Sequence, residues 1–204
     1  MILEGSLFYW ILWLFWVSIT FFMNKQNPYR TKLAACILVI IILSNVHFTF
    51  ERFQFFASGV FLLLLSYFIL SKKKLGSLLY AFICSFIVTI SYVTFNLFVI
   101  FDPVWVVFQK EWMMGFCLSC LAIILQKSLK DRLLIIASGT MQGEILYAFY
   151  LSKFEFSYPI GAIAYLDISA LTILLLVSWS ALENAGTFFQ NHFHFLEKGK
   201  QKSS

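Results

Sequence analysis

The chain has 204 residues, of which 61% are hydrophobic, and its mean hydropathy is +0.85. Soluble domains are roughly 45–50% apolar, so this composition excludes an ordinary soluble protein and predicts that the lipid bilayer surrounds most of the chain. The net charge is +5, but the basic residues lie between apolar stretches, where they can meet anionic lipid head groups. We therefore expect no nucleic-acid partner.

Seven long, unbroken apolar stretches predict an all-α bundle of seven transmembrane helices, which fills residues 1–186 as one domain. A helix needs about 20 residues to cross the ~30 Å hydrocarbon core. Because the connections are short, we expect consecutive helices to be antiparallel neighbours, with helices two and three joined almost directly. In chain order the predicted helices cover 5–23, 33–50, 53–71, 77–101, 112–126, 133–151 and 160–182.

The basic residues predict the orientation of these helices. Most of them form four clusters, and seven crossings place all four on one side of the membrane, which positive charge in short loops marks as cytoplasmic. The N-terminus is then outside and the C-terminus inside. Residues 187–204 predict a cytoplasmic interfacial helix followed by a basic tail. The clusters are Lys25, Arg30 and Lys32; Lys72, Lys73 and Lys74; Lys127, Lys130 and Arg132; and Lys198, Lys200 and Lys202.

The segment 103–111 leaves two arrangements open. Asp102 before Pro103 is a good helix start, since Asp caps a helix and Pro suits its first position. The helix can be a short interfacial turn with Trp105 and Trp112 at the water boundary, or it can run directly into helix five. We favour the interfacial turn, because the second arrangement would draw the charged residues 110 and 111 into the head-group zone.

Two acidic residues fall inside predicted helices, where an ionisable side chain is costly and is a functional candidate. Glu144 lies seven residues before the end of predicted helix six, and Asp167 lies seven residues after the start of predicted helix seven. Both are then about 10 Å below the same surface. Gly139 and Gly143 form a G-x-x-x-G pair that lets another helix approach closely, so we expect the two carboxylates to meet.

A close pair of carboxylates has two interpretations. Two such groups in a low dielectric cannot both ionise cheaply, so they share a proton or hold a cation. Together with Thr140 and Gln142, Glu144 and Asp167 would then form the proton or cation site of a small carrier. The alternative is a structural pair whose hydrogen bonds lock the two helices together, and we favour it.

Other polar residues predict packing rather than chemistry. Cys36, Cys84, Cys117 and Cys120 all lie in predicted helices, where burial makes a thiol inert, and the i, i+3 series Trp10, Trp13 and Trp16 favours packing and lipid contact. We interpret Asn45, His47 and Asn96 as interface or interhelical hydrogen bonds. Glu183 is expected to be a solvated helix end, with an ion pair to Lys127 or Arg132 as the alternative. His192, His194 and Glu197 do not predict a metal site.

Four stretches resemble the YphA-like family of small integral membrane proteins from Bacillus-type bacteria. They are Asn27-Pro28-Tyr29-Arg30-Thr31-Lys32-Leu33, Phe101-Asp102-Pro103-Val104-Trp105, Gly139-Thr140-Met141-Gln142-Gly143-Glu144 and Leu182-Glu183-Asn184-Ala185-Gly186. The resemblance implies a bacterial plasma-membrane protein associated with sporulation or spore-envelope assembly. It implies no catalytic residue.

These observations favour a non-enzymatic multi-pass protein that binds other membrane or envelope components. The chain has no nucleophile elbow, H-E-x-x-H or phosphate loop, and we expect no cofactor and no metal. The expected partners are the lipid bilayer and a membrane protein or a second copy of this chain. The competing hypothesis is the proton- or cation-coupled carrier that uses Glu144 and Asp167.

Overall fold

A computed structural model describes residues 4–50 and 53–201, with the side chains of Trp105 and of residues from 188 onward left out. In this part of the chain there are seven α-helices, as the apolar stretches predict. They are α1 (Ser6–Phe22), α2 (Pro28–Leu43), α3 (Ala57–Leu70), α4 (Leu75–Phe101), α5 (Lys110–Leu125), α6 (Leu129–Ser152) and α7 (Ile163–Gln201). Two short strands, β1 (His47–Phe50) and β2 (Phe53–Phe56), lie between α2 and α3.

The predicted second helix is wrong at both ends. It starts at Pro28 rather than at 33, because the Asn27 side chain accepts a hydrogen bond from the Tyr29 amide and Pro suits the first helical position. It ends at Leu43, where the Ser44 hydroxyl bonds the Ile41 carbonyl at 2.7 Å. The start of α3 at Ala57 is likewise later than the predicted residue 53.

The residues between these helices form an antiparallel hairpin, which the prediction of almost directly joined helices missed. Aromatic and β-branched residues favour extended backbone on a pleated surface, and the pairing brings Phe48 opposite Phe55 with their rings stacked at 5.7 Å. Ile160, from the α6–α7 loop, adds a parallel bridge to the other edge of β2, with bonds of 2.8 and 2.9 Å to Gln54 and Phe56. The hairpin and this loop together form a cap over one end of the bundle, here called the cap.

The structure also describes the segment before α5 and the end of α7. Asp102 caps a single 3₁₀ turn, Pro103–Trp105, through the Val104 amide, and the chain then leaves helical geometry before α5, so a turn separate from helix five is confirmed. Helix α7 continues without a break to Gln201, so it includes the residues after 186 that are predicted to lie at the membrane surface, and that location stays a prediction.

The helices do not pack mainly with their neighbours in sequence. The most extensive contacts are between α4 and α6 and between α5 and α7, followed by α1 with α7 and α3 with α6. Consecutive helices also pack together as predicted, in the pairs α1–α2, α2–α3, α4–α5, α5–α6 and α6–α7, but the most extensive contacts join helices that are not consecutive. Val88 lies at Gly139 and Tyr92 lies at Gly143, so residue numbers rise together along both helices and α4 runs parallel to α6.

The bundle has an apolar core that also buries polar side chains, and its outer surface is rich in exposed apolar side chains. On α4 the buried face carries Ser85, Thr89 and Asn96, whereas Phe82 and Phe86 on the opposite face are more than half exposed. Soluble proteins rarely expose contiguous apolar surface on this scale, so the pattern suits a lipid environment. By length and composition, Leu75–Phe101 and Ile163–Thr187 can cross a membrane, while Ser6–Phe22 and Ala57–Leu70 are shorter apolar helices.

Candidate functional site

Glu144 lies at the centre of a buried hydrogen-bond cluster that joins three parts of the fold. Its carboxylate has no exposed surface and accepts bonds from the Tyr92 hydroxyl on α4, from the Tyr158 hydroxyl at 2.9 Å and from the Gly161 amide at 3.1 Å. Tyr158 and Gly161 belong to the α6–α7 loop of the cap. Through these hydrogen bonds the carboxylate links α6 to α4 and to the cap.

Tyrosines and one lysine complete the surroundings of Glu144. The Tyr158 ring packs edge-on against Tyr147 at 4.9 Å, and the Tyr92 ring lies 6.4 Å from that of Tyr165. Burial and the nearby carboxylate raise the pKa of Tyr158, so its hydroxyl keeps its proton and donates a hydrogen bond to Glu144. Lys110, at the start of α5, is close enough for electrostatic attraction to the carboxylate.

Asp167 has an entirely different set of partners, at the start of α1. Its two oxygens accept the backbone amides of Gly5 and Phe8, both at 2.7 Å. Gly5 is the N-cap residue of α1 and Phe8 is its third helical residue. In a capping box, local side chains accept hydrogen bonds from the backbone amides at these two positions. No side chain of α1 caps this helix, and Gly5 has a left-handed φ of 87°. Asp167, on α7, therefore takes the place of a local N-cap side chain for α1.

The prediction of one shared carboxylate site is wrong for these two residues. No hydrogen bond joins them in the described part of the chain, because α6 directs Glu144 towards α4 and the cap while α7 directs Asp167 towards α1. Their depths also differ. Glu144 lies level with Gly161, before α7 begins, whereas Asp167 lies four residues after the start of α7 at Ile163, about 6 Å further from the cap.

Thr140 and Gln142, the other predicted members of the site, also bond elsewhere. The Thr140 hydroxyl donates to the Ile136 carbonyl at 2.7 Å and lies 3.2 Å from the Tyr165 hydroxyl. The Gln142 amide donates to the Tyr67 hydroxyl at 2.6 Å and lies within 3.4 Å of the Ser85 hydroxyl. The four predicted site residues therefore contribute to separate contacts between helices.

The two glycines of α6 lie directly against α4. A Cβ atom at Gly139 would come within 2.7 Å of the Ser85 carbonyl oxygen and of Val88, and one at Gly143 would come within 2.8 Å of the Tyr92 ring. A close helix approach of this kind needs small residues. The approach also brings the Tyr92 hydroxyl to Glu144, one residue after Gly143.

Sequence reasoning missed the tyrosines that hold Glu144. Tyr92 is separated from Glu144 by 52 positions and Tyr158 by 14, and neither forms a spacing motif with it. The available signal was the concentration of tyrosine in 147–165, in and after the helix that carries the acid. Tyrosine combines a large apolar ring with one hydroxyl donor, so it can be buried and still donate a hydrogen bond to a carboxylate without adding a charge.

Comparison with known proteins assigns the chain to a family. The sequence model of the family described as "YphA-like integral membrane protein" matches residues 4–202. The chain belongs to the YphA-like integral membrane protein family. A relative from Bacillus subtilis (strain 168), described as "Uncharacterized protein YphA", is 25% identical over 209 residues, covering 99% of this chain and all of the relative. No solved structure matches the chain.

Membership of the YphA-like family identifies the chain as a membrane protein, and the family resemblance predicted from the sequence is confirmed. The exposed apolar faces of α4 and the other helices are thereby explained as surfaces that contact lipid. The description of the family names no substrate or reaction.

At the opposite end of the bundle from the cap, Arg132 connects α5, α6 and α7. Its guanidinium bonds both oxygens of Glu183 at 2.9 and 3.1 Å and the Gln126 carbonyl at 2.7 Å. The Trp179 indole also donates to Glu183 at 2.6 Å. Glu183 is solvent-exposed as predicted, with 41% of its side chain accessible, but α7 does not end there, and the alternative of an ion pair with Arg132 is confirmed.

We expect Arg132→Lys to lower the thermal unfolding midpoint of the purified protein in detergent. Lysine keeps the charge, but it cannot make the two parallel bonds to Glu183 together with the bond to the Gln126 carbonyl. The matched control is Lys73→Gln, which removes an ion pair to Asp131 whose cation is 18% exposed, against 5% for Arg132, and a more exposed cation contributes less to stability. An equal or larger effect of the control would contradict this role of Arg132.

The remaining sequence candidates are dispersed through the fold. The Asn45 amide donates to the Tyr9 hydroxyl at 3.3 Å, and the Asn96 amide donates to the Tyr92 carbonyl at 3.0 Å within α4. His47 lies beside the Phe56 ring. The four cysteines are free thiols, and Trp13 and Trp16 pack edge-on at 5.7 Å. The side chains of His192, His194 and Glu197 lie outside the described ones.

Proposed function

We propose that this chain is a non-enzymatic multi-pass protein of the bacterial plasma membrane that binds other membrane or envelope components. Seven crossings with the N-terminus outside and the C-terminus inside are part of the proposal. The observation that carries it is the internal use of both buried acids. Glu144 has three donors from the fold itself and Asp167 has two, so their hydrogen-bonding capacity serves contacts within the protein.

The surroundings of the acids support a binding role over transport. A carrier site has to exchange its proton or cation with water, and a carboxylate held by backbone donors can do so only by leaving them. The two amides that hold Asp167 belong to the backbone of α1, and a change of side-chain conformation cannot move them. Loss of those bonds would uncap a helix. The geometry is therefore that of a structural hydrogen-bond contact between helices.

The family supports the setting of the proposal. The Bacillus subtilis relative aligns over essentially its whole length with this chain, which supports a bacterial plasma membrane as the location. The resemblance to Bacillus-type membrane proteins also motivates a role in sporulation or spore-envelope assembly. That role is part of the proposal and needs a cellular test.

Proton- or cation-coupled transport is retained as a second candidate, on one observation. Glu144 is fully buried, and two of its three donors are tyrosine hydroxyls. Because a hydroxyl can donate or accept, this carboxylate could take up a proton without displacing its partners. Asp167 has only backbone donors and lacks that freedom, so a carrier built on this fold would use Glu144 alone.

The experiment that separates the two functions compares wild type with Glu144→Gln. We expect the variant to reach the membrane at wild-type abundance and to restore sporulation in a strain that lacks the gene. We also expect liposomes containing either protein to show the same proton and alkali-cation leak as protein-free liposomes. A flux that wild type produces and Glu144→Gln abolishes, at equal abundance, would establish the carrier instead.

The partner-binding role itself requires a positive result. In vivo crosslinking from photoreactive residues placed in the cap should yield the same membrane or envelope proteins in independent cultures, and deletion of one of those proteins should reproduce the sporulation defect. A null strain without any sporulation or envelope defect would overturn the proposed setting. Crosslinks only to lipid would overturn partner binding at the cap.

A further inference from the structure

The start of α5 carries a surface groove that the contacts of the buried acids do not use. It has a volume of about 550 Å³ and is lined by Phe108, Gln109, Trp112, Met113 and Phe116. Four of these five side chains are apolar. Phe108 and Phe116 are 72% and 65% exposed, whereas Met113 is partly buried against the core and forms the floor of the groove.

We propose that this groove binds one acyl chain of a membrane phospholipid. The first argument is continuity with an interface that family membership establishes. An integral membrane protein has lipid against its exposed apolar surface, and the walls of the groove are exposed aromatic rings of that kind. A volume of about 550 Å³ lies within the ~300–1,000 Å³ range of sites that hold small molecules.

The length of the groove favours an acyl chain over a partner helix. Trp112, Met113 and Phe116 lie on α5 and span about 6 Å of its axis, whereas Phe108 and Gln109 precede its first residue, Lys110. One leaflet of the hydrocarbon core is about 15 Å thick, half of the ~30 Å total. The groove therefore accommodates part of a single acyl chain, whereas a packed helix would need a stripe of contacts over several more turns.

The ends of the groove are chemically different, which favours a lipid over a pure hydrocarbon. Gln109 is the polar residue of the lining, and it lies where α5 begins. Trp112 is one turn further along, and tryptophan prefers the boundary between head groups and hydrocarbon. An amphipathic molecule can place its polar end at Gln109 and its chain along Met113 and Phe116.

The first test measures lipid retention by native mass spectrometry of the purified protein in mild detergent. After delipidation, phosphatidylglycerol is titrated back. We expect Trp112→Ala and Phe116→Ala to weaken binding of the retained lipid roughly tenfold, which corresponds to ~1.4 kcal/mol. The matched control is Phe86→Ala, which truncates an exposed ring on α4 outside the groove and should retain lipid as wild type does.

Three outcomes would overturn the proposal. One is equal lipid binding by the groove variants and the control. Another is a groove variant that binds lipid normally but changes the oligomeric mass, which would show that a second copy of the chain occupies the groove. The third comes from wild-type protein, so that it holds even where a variant fails to fold. A phospholipid with a photoreactive group in its acyl chain should label the 108–116 segment above the 79–90 segment of α4, and uniform labelling would exclude a specific site.

Discussion

Replacing Asp167 by Asn should destabilise the protein far more than replacing Glu144 by Gln, although both changes remove one negative charge. Asp167 accepts the Gly5 amide with one oxygen and the Phe8 amide with the other. Asparagine has one acceptor oxygen, and its NH₂ group would face a backbone N–H that cannot reverse its direction. A buried donor without an acceptor costs about 1–3 kcal/mol.

Glu144→Gln is the matched control because its partners can adapt. The oxygen of the new amide can accept the Gly161 N–H, and the NH₂ group can donate to the Tyr92 and Tyr158 hydroxyls, which then act as acceptors. We expect a loss of less than about 1 kcal/mol. Glu144→Ala, which leaves the Gly161 N–H and both hydroxyls without this acceptor, should be clearly worse than Gln.

The measurement for both acids is the unfolding midpoint in detergent, combined with hydrogen exchange. Asp167→Asn should speed exchange in the 5–12 segment at the start of α1, because the amides of Gly5 and Phe8 lose one acceptor. Glu144→Gln should leave that segment unchanged. Faster exchange at the start of α1 in both variants would contradict the assignment of Asp167 to the cap of this helix.

The second large effect is expected at Gly139, where α6 meets α4. A methyl group there would lie 2.7 Å from the Ser85 carbonyl oxygen and from Val88, which is too close for either helix backbone to stay in place. Overpacking of a filled contact costs about 1–3 kcal/mol. We expect Gly139→Ala to lose at least that much, and to loosen the Tyr92–Glu144 contact that the close approach permits.

Gly186 provides the control for this substitution. It lies in α7, and a Cβ atom there would meet nothing within 4 Å. Because alanine favours a helix over glycine by roughly 0.5–1 kcal/mol, Gly186→Ala should be neutral or slightly stabilising. Unfolding in detergent measures both variants. If Gly139→Ala unfolds at the same midpoint as Gly186→Ala, the helices are not in close contact at that position.

Much of the secondary structure could be read from local signals. Asn27 with Pro28 and Asp102 with Pro103 both mark helix starts in the structure. The first of these lay in a segment interpreted as a basic loop, so the start of α2 was placed too late. The hairpin was missed because a hydrophobic run continues through His47–Phe50, and in a chain this apolar a strand and a helix end have the same composition.

The partners of the acids could not be read from local signals. A lipid-facing helix is apolar on most of its surface, so the periodicity of its hydrophobic residues does not show which neighbouring helix Glu144 faces. Equal distances from predicted loop ends suggested that Glu144 and Asp167 meet, but the main neighbour of α6 is α4, and α7 packs with α1 and α5 as well. The pairing of helices 50 residues apart decides the site, and a single sequence does not contain it.

Glu144 and Asp167 serve two separate contacts between helices. A double-mutant cycle with Glu144→Gln and Asp167→Asn tests this separation, with the free energy of unfolding as the readout. Independent sites add within about 0.3–0.5 kcal/mol, so the double variant should lose the sum of the two single losses to that precision. A coupling energy above about 1 kcal/mol would contradict it, because groups that share a proton or a cation cannot be neutralised independently.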